Sequence, residues 1–383
     1  MLKHTQVVLF LMLLMSFVSA QAGGVIAPKP SAPNVAAKSH ILIDYDSGRV
    51  LASDTPDQRL PPASITKLMT SYVVSHELHS GNISLDDEVL ISEKAWRMIG
   101  SRSFLKVDTK VSVEALLRGM IVQSGNDAAV ALAEHIAGSE EVFAQMMNQY
   151  AQQLGMVNTN YMNATGLPDP DHYTTARDIA TLSAALIRDF PAHYEWYKEK
   201  EYTYNNITQH NRNKLLWRDN SVDGLKTGHT EEAGFCLAAS AQRGDMRLIS
   251  VVLGTRSENA RAQETQKLFN YGFRFFETHQ LYQANASITD SKVWKGAQDQ
   301  VSLGLAQSLA VTVPRGQYDE LSASTNIQQP VIAPVAVGAE LGEVEIRLGD
   351  EVVARQTLVA LTAVEEGSWW RRLIDEILLW IWG

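Results

Sequence analysis

Apolar and polar positions alternate in short runs near both ends of the chain and recur at helical spacing through its middle. Ile41-Leu-Ile-Asp-Tyr45 and Val50-Leu-Ala52 flank Asp46-Ser-Gly48, which predicts a β-hairpin. From Ser64 to about Arg188 the period turns helical. The apolar run from Leu68 to Leu78 is closed by a turn at Ser80-Gly-Asn82. Ala115 to Val122 and Asp127 to Ala137 predict helices on either side of Ser124. Glu140 to Gly155, ended by its glycine, and Ala176 to Asp189 predict two more. Strands return at Gly234 to Ser240 and Met246 to Leu253. That order implies one antiparallel sheet built from both ends of the region and covered by the helical block. Ala260 to about Glu277 reads as a closing helix, with Leu268, Tyr271, Phe275 and Phe276 on its packed side.

Beyond residue 280 the composition shifts towards Val, Thr, Ser and Gln. Leu309 to Val313 and Val344 to Leu348 alternate, and Gly349-Asp350 turns the second run into Glu351 to Leu358. These features predict a small all-β domain over 279–364, a spacer or docking module with no catalytic cluster. The preceding domain spans 38–278. Residues 1–22 read as a secretory signal, with Lys3 and His4 before an apolar stretch from Val7 to Val18. That stretch is short of the ~20 residues of a membrane span. Cleavage after Ala20 or Ala22 fits the signal, and 23–37 forms a leader rich in Gly, Ala and Pro. Residues 365–383 carry Trp370, Leu373, Ile374, Ile377, Leu378 and Ile381 at helical spacing, opposite Arg371, Arg372, Asp375 and Glu376. This predicts an amphipathic helix lying on a membrane surface, its four tryptophans at headgroup depth.

Composition removes some classes and leaves others open. The chain has 383 residues, 45% hydrophobic and 20% charged, an ordinary globular balance. Its net charge of −10 argues against a nucleic-acid partner, which demands a basic face. Cys236 is the single cysteine, so no internal disulfide forms despite the predicted export, and a buried structural thiol is its expected role. The ten histidines show no metal-ligand spacing, and no metal or cofactor is implied.

Three short motifs carry chemistry. In Ser64-Ile-Thr-Lys67 the two polar side chains lie three positions apart, so on a helix they share a face and can share a proton. Ser64 is then the candidate nucleophile and Lys67 its base. Ser124-Gly-Asn126 brings a hydroxyl and an amide to the other side of that pair. Lys226-Thr-Gly228 brings a cation and a hydroxyl from a strand edge. Each motif alone is weak: Ser103-Phe-Leu-Lys106 and Ser80-Gly-Asn82 repeat two of them without the surrounding pattern. The ordered set of three is specific, and it is the motif set of serine β-lactamases and penicillin-binding proteins.

With these motifs, Gln123-Ser-Gly-Asn-Asp127, Val222 to Thr230 and Tyr271 to Glu277, the chain resembles the low-molecular-weight penicillin-binding proteins, D-alanyl-D-alanine carboxypeptidases of the penicillin-binding protein 5 type. The resemblance runs from about residue 38 to 383. It implies an α/β (α+β) serine β-lactamase/DD-peptidase-like domain with an antiparallel sheet and helical cluster, then the β-domain and the amphipathic helix. It also implies removal of the terminal D-Ala from peptidoglycan pentapeptide stems through a serine acyl-enzyme, with β-lactams acylating the same serine. Ser64 and His229 backbone N–H groups would form the oxyanion hole. Ser124 would relay the proton to the leaving amine, and Asn126 would orient Lys67 and substrate. Lys226, Thr227 and Gly228 with a distant arginine would hold the substrate carboxylate; Arg261 matches the family position best, with Arg256 as the fallback. Burial and the Lys226 cation would lower the Lys67 pKa. From Val142 to Tyr194 there is no glutamate, which opposes a β-lactamase, although Asp169, Asp171 and Asp178 lie in that stretch. A DD-endopeptidase would use the same motifs. A non-catalytic wall-binding scaffold is opposed by all three motifs being intact.

Overall fold

The computed structural model describes residues 31–382. The expected signal, 1–22, and the leader as far as residue 30 lie outside the described residues. The early hairpin forms as β1 (Ser39–Asp44) and β2 (Val50–Asp54), turning through Gly48 at φ +69°. The helical block contains α1 (Lys67–His79), α2 (Val113–Gln123), α3 (Asn126–Ala137), α4 (Glu140–Gln153) and α5 (Ala176–Asp189). Then β3 (Val222–Thr230), β4 (Gly234–Arg243) and β5 (Met246–Thr255) complete a five-stranded antiparallel sheet, ordered β2-β1-β5-β4-β3. The first hairpin thus pairs with the last strand, and β3, carrying Lys226, is left at an edge.

Side-chain alternation along each strand sorts the core into two layers. Ile41, Ile249, Val251 and Leu253 face the helical block with Leu68, Met69, Leu116 and Ile179. Leu42, Leu237, Leu248 and Val252 face the other way, onto Leu268 and Phe269 of α6 (Glu258–Phe275). The sequence expects this helix to run to about Glu277. It stops at Phe275, because Phe276 turns extended and opens β6 (Phe276–Tyr282) while staying buried. The expected boundary at 278/279 therefore cuts through a strand.

The C-terminal part is all β. It comprises β6 with β7 (Ser287–Trp294), β8 (Gln300–Leu305), β9 (Leu309–Pro314), β10 (Leu321–Ile327), β11 (Val331–Ile332), β12 (Glu340–Leu348) and β13 (Glu351–Ala360). Strands β6 and β9 pair with each other, and the other six form one sheet ordered β10-β12-β13-β8-β7-β11. A polar knot joins the two parts. The Asp44 carboxylate accepts from Ser47 and Thr278, and Arg49 donates to the Thr312 carbonyl at 2.6 Å and pairs with Glu351. The chain closes on α7 (Trp369–Trp382), which exposes Trp370, Ile374, Ile377, Trp380 and Ile381. No described helix is long and apolar enough to cross a membrane.

Candidate active site

Ser64 lies in a 3₁₀ turn, Ala63–Thr66, that runs straight into α1. The turn brings Lys67 back under Ser64, and Lys67 Nζ donates to Ser64 Oγ at 3.1 Å. The same nitrogen donates to Asn126 Oδ1 at 2.7 Å and to the Thr165 carbonyl at 2.6 Å. Lys67 is only 1% exposed. Burial pushes its pKa down to about 7, with the Arg212 cation adding to the effect. The sequence assigns that second charge to Lys226; the structure assigns it to Arg212. Lys226 is itself held well below the usual lysine value, by burial first and then by the Lys67 cation.

Ser124 occupies the sharp corner between α2 and α3, in left-handed conformation at φ 69°. Its hydroxyl is buried and makes no hydrogen bond. Asn126 opens α3, and besides receiving Lys67 it donates from Nδ2 to the Ile99 carbonyl at 2.6 Å. Asp127 beside it accepts from the Ser103 and Leu105 backbone N–H groups at 2.8 and 3.2 Å. The decoy Ser103 therefore belongs to a loop that walls the site, pinned by Asp127, the residue that follows the second motif.

Lys226, Thr227 and Gly228 lie buried or nearly so on edge strand β3. A Cβ on Gly228 would fall 2.9 Å from the Pro62 carbonyl oxygen, so only glycine lets β3 approach the Ser64 turn this closely. Exposed His229 stacks its ring on Phe235, with centroids 3.9 Å apart. Arg261, on α6, is buried and donates to the Gly228 carbonyl at 3.2 Å, bracing the strand from behind. Arg256 is exposed. A cleft of about 300 Å³ joins these elements, lined by Ser64, Gly100, Ser101, Asn126, Thr165, Gly166, Leu167, Arg212, His229 and Thr230. A larger cavity of about 1010 Å³, beside Leu78, His79, Asp189 and Phe190, contains none of these residues. A serine hydroxyl against a buried amine, with backbone N–H groups and cations around one cleft, is machinery for acyl transfer.

Residues 26–257 match the family described as D-alanyl-D-alanine carboxypeptidase, and residues 276–366 match the penicillin-binding protein 5 C-terminal domain. The chain belongs to the D-alanyl-D-alanine carboxypeptidase family. It is 45% identical over 356 residues to D-alanyl-D-alanine carboxypeptidase DacC of Escherichia coli K12, covering 91% of this chain and 89% of that one. Penicillin-binding protein 5 from Haemophilus influenzae superimposes with a TM-score of 0.85 at 43% identity, over 88% of this chain and all of that one. Penicillin-binding protein D2 from Listeria monocytogenes, solved with ampicillin bound, is 30% identical with a TM-score of 0.59, over 64% of this chain and all of its own.

Three parts of the candidate site escape sequence reasoning. Thr165 contributes a backbone carbonyl, which no side-chain motif announces. Gly166 sits at φ +82°, and a Cβ there would fall 1.8 Å from the Ala63 carbonyl oxygen. The turn is held by Asn163, whose amide oxygen accepts from the Thr165 and Gly166 N–H groups. Asn163-Ala-Thr-Gly166 is a readable turn signal, but on sequence it passes for a chance Asn-x-Thr match. Arg212 lies outside every motif. Among the described residues, no carboxylate lines the cleft. Among the aspartates considered, Asp178 instead accepts from Asn158 and Thr159, and Asp169 from the Asp171 N–H. Cys236 is buried on β4, as expected, and burial pushes its thiol up to about 11.

Proposed function

We propose that this carboxypeptidase removes the terminal D-alanine from peptidoglycan pentapeptide stems through an acyl-enzyme on Ser64. The observation that carries the reading is the buried Lys67 amine, 3.1 Å from Ser64 Oγ with its pKa lowered to about 7. Near neutral pH a large share of it is uncharged and can accept a proton. Ser64 Oγ attacks the carbonyl of the penultimate D-Ala while its proton passes to Lys67. The carbonyl oxygen gathers charge against the Ser64 and His229 N–H groups, each worth ~3 kcal/mol. The C–N bond then breaks, and the unpartnered Ser124 hydroxyl relays the proton to the departing D-Ala amine. Water hydrolyses the ester and frees the shortened stem. Lys226, Thr227 and Arg261 supply the positive and hydroxyl groups for the substrate carboxylate, and Arg212 adds a further cation at the rim.

β-Lactams present a similar carbonyl beside a carboxylate and acylate the same serine; the ampicillin-bound relative supports this. Among the described residues no carboxylate lines the cleft to activate water on the penicilloyl ester, which favours a penicillin target over a β-lactamase. The signal and α7 together support export to the periplasmic face of the bacterial inner membrane, with peripheral attachment through α7. The test is D-Ala release from a peptide ending in D-Ala-D-Ala. Ser64→Ala and Lys67→Ala should each lower kcat by at least about 10³-fold. Equal release by the Ser64→Ala protein would refute the reading.

A further inference from the structure

The four charged side chains of α7 are all engaged on its own protein. Arg371 pairs with Asp299, Arg372 with Glu366 and Glu376 with Lys295, while the Asp375 carboxylate accepts from the Lys295 backbone N–H. These contacts turn the charged face of the helix onto the β-domain, and its apolar face points off it. The segment next to it is unusual. Val331 to Ala339 contains no charged residue, and strand β11 within it is the sheet edge. Its alternate side chains Val331, Ala333 and Val335 fill the core. The intervening positions Ile332, Pro334 and Ala336 are exposed and apolar, and so is Val337, where the alternation ends. An exposed strand face is ordinarily polar. Val335 bridges to Val364 just before α7, and Ile332 shares one groove with Trp369 and Leu373.

Resting on the anchoring reading of α7, we infer that the β-domain itself enters the lipid surface through this edge, beside the helix. The occupant is a bilayer because Val331 to Ala339 carries no charge for an ionic partner and meets α7 at the groove that Ile332 shares with Trp369 and Leu373. The stacked Trp369 and Trp370 of α7 suit the headgroup boundary. The enzyme would then stand on two contacts in one fixed orientation, not swing from a tether.

The test uses the full chain with a polarity-sensitive fluorophore on Val337→Cys or on Ile377→Cys, Cys236 being buried, and phosphatidylethanolamine/phosphatidylglycerol vesicles carrying nitroxide lipid. Both labels should shift to the blue and be quenched, while a label on Ser324→Cys, at the opposite sheet edge, stays aqueous. Quenching at Ile377→Cys alone would overturn the inference and leave the anchor intact; quenching at neither would remove the anchor as well. Ile332→Asp/Val337→Asp should weaken vesicle binding about tenfold or more, from the apolar area withdrawn. D-Ala release from a soluble peptide should not change. Unaltered vesicle binding by that variant would also overturn the inference.

Discussion

In the proposed mechanism Lys67 is the residue on which the chemistry turns, and its environment makes a signed prediction. Burial and the Arg212 cation both disfavour its charged form, so acylation by benzylpenicillin should fall about tenfold per unit as pH drops below 7. Arg212→Gln removes a charge that opposes protonation. The midpoint of that pH–rate profile should therefore move to higher pH; a midpoint moving to lower pH would contradict the assignment. Gly166 makes a second prediction, because alanine there needs both a left-handed backbone and space already filled by the Ala63 carbonyl. Gly166→Ala should lower stability by about 1–3 kcal/mol and slow acylation at least tenfold. Thermal melting and stopped-flow acylation measure the two effects. Ser64, Lys67, Asn126 and Lys226 are legible in the sequence because reactive side chains recur at fixed spacing. Thr165 is not, since what it offers Lys67 is a carbonyl that every residue has. Arg212 is not either, since its effect is a charge acting through space.

Among elements, the α2–α3 corner matters most, because it holds Ser124, Asn126 and the wall loop together. Asp127 is nearly inaccessible and satisfies two buried N–H groups of that loop. Asp127→Ala should cost about 1–3 kcal/mol for the stranded donors, read from denaturant unfolding. KM for a D-Ala-D-Ala peptide should rise as the wall loosens. The sequence reading places the long elements well: β1 and β2, α1 to α5, β4 and β5 all lie where period and turn residues put them. It fails where one pattern runs into another. Phe275 and Phe276 are both aromatic, and helical spacing cannot tell that the chain extends between them. The ribbon Glu201–Tyr204 with Ile207–His210 goes unread, although Asn205 and Asn206 adopt the positive φ values of a tight hairpin turn.

At the scale of the whole molecule, the proposed catalytic site and the proposed membrane attachment occupy different parts of one chain. The site draws on β3, the Ser64 turn, the α2–α3 corner and the Asn163 turn, all on the N-terminal part. The β-domain and α7 supply none of the residues lining the cleft. Removing residues 365–383 should therefore leave benzylpenicillin acylation within about twofold of the full chain and abolish vesicle binding, which flotation and a single-turnover assay would measure. The central claim is the acyl-enzyme, and it is tested most directly by intact mass. The tail-less protein is mixed with benzylpenicillin beside a Ser64→Ala control. The account predicts a long-lived adduct of one penicilloyl group on the wild type and none on the variant. An adduct of equal yield on Ser64→Ala, or rapid loss of penicillin with no adduct on the wild type, would contradict it.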